Sequence, residues 1–70
     1  MTQCEKIIQY MTMYGSISTV EAFADLGITR LGSRIHDLRH DGYKIKGMSV
    51  KSTNRFGEPV RFMRYYLEED

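Results

Sequence analysis

The apolar positions of this 70-residue chain change period once. Up to residue 41 they recur at helical spacing, and from Tyr43 onward they alternate. Cys4, Ile7, Ile8 and Met11 fall at i, i+3, i+4 and i+7, one stripe of a first helix. Thr2 and Glu5 stand at capping-box spacing ahead of that stripe, and Gly15 after Tyr14 is a natural stop. The following "SIS" has room for no more than a scrap of strand. Ser18 and Glu21 form a second capping box, which predicts a short helix from Thr19 to Leu26. Its inward residues are expected to be Val20, Phe23, Ala24 and Leu26. Gly27 ends it, and Ile28 is expected to plug the core from the turn.

A third helix is predicted over residues 29–41, with Thr29 as its N-cap. Leu31, Ile35 and Leu38 lie within about 60° of one another on helical geometry, so its core face is narrow. The opposite side carries Arg30, Ser33, His36, Asp37 and His40, and Arg34 and Arg39 flank the core face. Gly42 closes the helix. "YKIKGMSVKST" then reads as a strand, with a bulge expected at Gly47 where the phase of Ile45 and Met48 slips. "NRFGEP" is turn chemistry, and "VRFMRYYL" is the return strand, with Tyr65 and Leu67 inward. The order is helix, helix, helix, hairpin, in one domain over residues 1–70.

Composition narrows the class. A 70-residue chain buries only roughly 60% of its unfolded surface, so its stability is thin. Cys4 is the sole cysteine, which excludes an internal disulfide and a zinc site built on paired cysteines. The longest apolar runs are two or three residues, and the start "MTQCEKIIQYM" lacks a secretion-signal layout. A cytoplasmic protein with no membrane partner is expected. The net charge of +1 hides a strong polarity: residues 1–27 carry −2, residues 28–66 carry +6, and the last four carry −3. A basic middle between acidic ends points to a polyanion.

Three helices and a basic hairpin, with a tight turn at "DLGIT", make the layout of a winged helix-turn-helix domain, of class α+β. The segment "ITRLGSRIHDLRHDGYKI", preceded by "ISTVEAFADLG", resembles a family of small helix-turn-helix proteins common in phages and prophages. The resemblance covers residues 3–67. It implies that the third helix enters the major groove of double-stranded DNA, presenting Thr29, Arg30, Ser33, Arg34 and Asp37. It also implies a wing over residues 51–61, whose Lys51, Asn54, Arg55 and Arg61 meet the backbone or the minor groove. A phage or mobile-element transcriptional regulator is the function expected. The alternative is a winged-helix module that binds protein, such as a phage-encoded inhibitor of a host nucleic-acid enzyme. A third reading is an accessory that bends DNA through its wing.

One departure concerns the turn. The common pattern places a buried apolar residue six positions after the turn glycine; here that position is Ser33, and the apolar residues come at four and eight, Leu31 and Ile35. Gly32 inside a helix costs about 1 kcal/mol against alanine, which fits a close approach by the first helix or by a phosphate backbone, and equally fits tolerated sequence drift. A lone domain offers DNA only roughly 600–1,000 Å², so a homodimer or a host protein partner would add the rest.

The remaining residues read more simply. Arg39 is expected to be structural, paired with Asp41, Glu58 or the acidic tail, or placed against the helix dipole. Lys44 and Lys46 read as solvated strand residues. His36 and His40 have metal-ligand spacing but no third ligand, so no metal is expected. Cys4 reads as a small hydrophobe. The five tyrosines and five methionines read mostly as packing; the alternative for Tyr10 and Tyr14, one helical turn apart, is a surface of the first helix used for a partner. Phe56 at the hairpin tip either folds back on the hairpin or serves as a wedge or a contact to a partner. No phosphate loop, nucleophile elbow or cleft is evident, so no enzyme, cofactor or small-molecule ligand is expected.

Overall fold

The computed structural model describes residues 1–68. Three helices pack on a small antiparallel sheet: α1 (Gln3–Tyr14), β1 (Ile17–Ser18), α2 (Thr19–Leu26), α3 (Leu31–His40), β2 (Ile45–Thr53) and β3 (Pro59–Leu67). The "SIS" segment supplies β1, which joins the hairpin as a third strand in the order β1-β3-β2.

Both predicted capping boxes form. The Thr2 hydroxyl accepts from the Glu5 N–H while the Glu5 carboxylate takes the Thr2 N–H. Ser18 and Glu21 repeat the arrangement at 3.0 and 2.9 Å. Each box satisfies two backbone donors that a helix start leaves open.

The core is built from Ile7 and Met11 of α1, Ile17 of β1, Ala22 of α2, Ile28 of the turn, Leu31, Ile35 and Leu38 of α3, and Ile45 of β2. Ile28 is the expected plug. The rotation of α2 corrects the expected inward set. Ala22 is buried and Leu26 packs at the core's edge, whereas Val20 and Phe23 are 59% and 63% exposed and Ala24 is exposed too. Local anchors set this rotation. Ser18 is held in the sheet opposite Arg64, the Thr19 hydroxyl reaches the Met63 carbonyl, and the Glu21 carboxylate binds the Arg64 guanidinium at 2.9 Å. With that end fixed, Ala22 and Leu26 turn inward, and Val20 and Ala24 lie about 160° away from Ala22.

The turn into α3 also differs from expectation. Gly27, at φ 69°, sends its N–H to the Phe23 carbonyl, and the Ile28 N–H reaches the Ala22 carbonyl at 2.9 Å. Only a residue tolerant of left-handed backbone closes α2 this way at no strain. Closing α2 drives Ile28 into the core, so Thr29 and Arg30 are spent redirecting the chain. The N-cap is therefore Arg30, whose carbonyl accepts from the Arg34 N–H, and not Thr29. No side chain caps α3. Its far end closes through hydrogen bonds from Gly42 N–H to the Arg39 carbonyl and from Tyr43 N–H to the Leu38 carbonyl, a Schellman arrangement.

The β2–β3 register runs without a break from Ile45↔Leu67 to Thr53↔Pro59, so the expected bulge at Gly47 is absent. Ile45 and Met48 simply lie on opposite faces. Gly47 serves a different purpose. A Cβ there would sit 3.1 Å from Met63 Cε and 3.2 Å from the Tyr65 ring, which lies across the strand. Tyr65 and Leu67 pack against the core as expected. The Thr19 hydroxyl reaches β3 at the Met63 carbonyl, and from there the largely exposed hairpin runs about 14 Å further to the last rung at the usual strand rise. The molecule measures 39 Å along its longest axis and 21 Å along its shortest.

Candidate nucleic-acid interface

The turn before α3 and the helix as far as Asp37 hold five of the expected residues. Thr29 and Arg30 are exposed, and Ser33 and Arg34 are half-buried. Arg34 pairs with Asp37, one helical turn on, at 3.3 Å, and both side chains stay substantially exposed. Its Nε is buried without a hydrogen-bond acceptor among the described residues. The buried Leu31, Ile35 and Leu38 fix the rotation of α3 and so fix which of these side chains face outward. Gly32 has nothing within 4 Å of where a Cβ would stand, which removes α1 as the reason for it.

The hairpin holds the other four. Lys51 and Arg61 stand directly opposite each other. They share a sheet face with Ile45, Tyr65 and Leu67, the face on which the helices pack, so the pair emerges on the helical side of the sheet. Arg55 is exposed in the loop. Asn54 is withdrawn into the turn: its Oδ1 accepts from the N–H groups of Phe56 and Glu58, and its Nδ2 donates to the Glu58 carboxylate. Phe56 does not fold back; it is 84% exposed.

Several cations of the basic segment are committed elsewhere. Arg39 sends Nε and Nη2 to the Ile45 carbonyl at 3.1 and 2.9 Å and lies over the Tyr65 ring. Its role is structural, as expected, but its acceptor is a carbonyl in place of the carboxylates considered. Arg64 is bound by Glu21 and by the Ser16 hydroxyl. The sequence offers no local signal for this contact, because the partners lie 43 and 48 residues away. Among the described residues, the side chains of Arg30, Lys51, Arg55 and Arg61 make no ion pair.

His36, Asp37, His40 and Asp41 line a shallow groove on the outer side of α3, and no metal-holding group of three or more His, Cys, Asp or Glu side chains occurs among the described residues. Cys4 is half-buried at the core's edge. Tyr10 ties α1 to α2 by donating its hydroxyl to the Asp25 carboxylate, and its ring meets Tyr14 at 4.6 Å. That hydrogen bond is the main reason the Tyr10 phenol is pushed up to about 12, with desolvation and nearby acids adding to it. Of the acidic tail, Glu68 is exposed, and Glu69 and Asp70 lie outside the described residues. Among the described residues no helix is long and apolar enough to cross a membrane.

Two helices joined by a glycine turn, a third bracing them, and a projecting hairpin define a helix-turn-helix architecture with a wing. The family described as the winged helix-turn-helix domain matches residues 2–70, and the chain belongs to that family. No curated protein and no solved structure matches it.

Proposed function

We propose that this chain binds double-stranded DNA as a phage or mobile-element transcriptional regulator. In this reading α3 lies in the major groove and the wing lies against the backbone. Thr29, Arg30, Ser33, Arg34 and Asp37 face the bases, and Lys51, Asn54, Arg55 and Arg61 serve the wing. The observation that carries the reading is the Lys51↔Arg61 rung. Like charges directly opposite each other destabilise a sheet, and here no acid answers them among the described residues. A phosphate backbone on the helical side would supply the missing anion. The turn geometry of Asn54 limits its part to shaping the loop. Arg34 fits a base-reading role through one rearrangement: release from Asp37 would free its guanidinium to fork onto a guanine. The phage assignment rests on the resemblance of residues 3–67, and a homodimer or host protein would extend a small DNA footprint.

Random-sequence duplex DNA titrated at two salt concentrations tests the reading. Binding should weaken steeply with salt. Arg30→Ala/Arg34→Ala should bind more weakly, and Lys51→Ala/Arg61→Ala should flatten the log–log salt slope by about 2. Absence of binding at low salt would reject DNA as the partner. It would favour the second reading, a protein-binding module, which the exposed Val20 and Phe23 on α2 support.

A further inference from the structure

The geometry points to Phe56 as a wedge that inserts at a base step of duplex DNA and kinks it, an inference that rests on the DNA-binding reading above. Three observations converge on this residue. The first is exposure: at 84%, Phe56 is the most exposed of the large apolar side chains among the described residues. It also stands at the far end of the hairpin, past the last rung, Thr53↔Pro59.

The second is rigidity of presentation. Five hydrogen bonds within the loop hold the tip. The Asn54 N–H reaches the Glu58 carbonyl at 2.9 Å, and the Gly57 N–H returns to the Asn54 carbonyl at 3.0 Å. Asn54 Oδ1 takes the Phe56 N–H at 2.9 Å and the Glu58 N–H at 3.0 Å, and Nδ2 reaches Glu58 Oε1 at 3.2 Å. Phe56 has its own N–H anchored by this clamp, yet its ring touches no core residue. A loop with no use for the ring would be at least as soluble with a polar residue there. Fixing the backbone beneath an exposed aromatic lowers the ordering cost when that ring is buried by a partner.

The third is the charge around it. Arg55 is adjacent, and Lys51 and Arg61 stand on the hairpin below, all exposed. This is an aromatic at the end of a cationic arm, complementary to a polyanion with stacked planar bases. Side chains of this kind part base steps in the minor groove, and the unstacking cost is recovered through wider contact with the bent duplex. Pyrimidine–purine steps yield most readily. The wing would thus act as a lever as well as a clamp on phosphates.

The test uses the full chain with a 25-bp duplex containing central TA steps, labelled at both ends for energy transfer. Wild type should raise transfer at saturation, because a kink brings the ends together. Phe56→Ala should bind with about tenfold lower affinity and an unchanged salt slope, and should lose most of the transfer change. Phe56→Leu, which keeps apolar bulk, should retain more of it. Equal transfer for wild type and Phe56→Ala, or tight wild-type binding with no transfer change, would overturn the wedge while leaving DNA binding intact. No wild-type binding at low salt would remove the DNA reading itself and leave Phe56 to a protein partner. Because the ring contributes nothing to the core, Phe56→Ala should keep the wild-type unfolding midpoint, so a loss of bending cannot be a loss of fold.

Discussion

Helix α3 and the β2–β3 hairpin both belong to the proposed interface, yet they are built on opposite principles. One face of α3 is sealed: Leu31, Ile35 and Leu38 are buried, and the backbone beyond them closes into β2. Its outward side chains are therefore placed to within the tolerance of the core. The residues of the hairpin past Met63 are largely exposed. What holds it is the ladder itself and the clamped loop. An interface of this kind pairs a fixed reader with a projecting arm, so the two should respond differently to mutation.

The largest contrast should come from the packing of each part. Ile35→Ala should cost about 2–5 kcal/mol, because it opens a cavity under α3. Val60→Ala, on the projecting hairpin, should fall within about 0.5 kcal/mol of wild type. Urea unfolding of the two variants checks this, and equal losses would mean that the hairpin is part of the cooperative core. Next comes Gly47, opposite Tyr65 on the part of the hairpin that packs on the core. Gly47→Ala should cost about 1–3 kcal/mol by crowding Met63 and the Tyr65 ring. A neutral result would show that those side chains give way freely.

A smaller effect of opposite sign is expected on α3. Gly32→Ala has open space for its methyl group and should raise stability by roughly 0.5–1 kcal/mol. If a phosphate backbone approaches the helix there, the same variant should weaken DNA binding; unchanged affinity would leave Gly32 without a role at the interface. The smallest effect lies away from both regions. Tyr10 titrates at about 12 in the folded chain, above the unfolded value of roughly 10. A raised pKa means that the Tyr10–Asp25 tie contributes fully below about pH 10 and is lost as pH rises through about 12. Unfolding midpoints for wild type and Tyr10→Phe should converge across that window, and a constant difference between them would rule the tie out as the cause.

Local chemistry was the most legible part of the sequence. Thr2 with Glu5, Ser18 with Glu21, and the glycines after Tyr14 and Leu26 act within a few residues, so spacing alone located α1 and α2. The α3 triad was legible because its stripe is narrow and no second apolar stripe competes with it. On α2 there are two candidate stripes. Periodicity prefers the larger residues Val20 and Phe23, but distant anchors at Met63 and Arg64 decide in favour of Ala22. Gly47 shows a similar limit: a glycine in a strand signals either an extra residue or a ring lying across it, and only the partner strand tells which. At the interface, residue types were readable but their commitments were not. Arg39, Arg64 and Asn54 look as available as Arg55 until the carbonyl, carboxylate and turn that occupy them are seen.

The unbroken register of β2 and β3 has an evolutionary corollary. Side chains alternate faces along both strands, so adding or removing two residues from each strand lengthens or shortens the arm while every inward residue stays inward. A change of one residue in each would exchange the faces beyond the change and turn the basic rung toward the other side. Paired insertions or deletions of two residues would thus change how far the tip reaches in increments of roughly 7 Å, with every inward residue of the core kept in place.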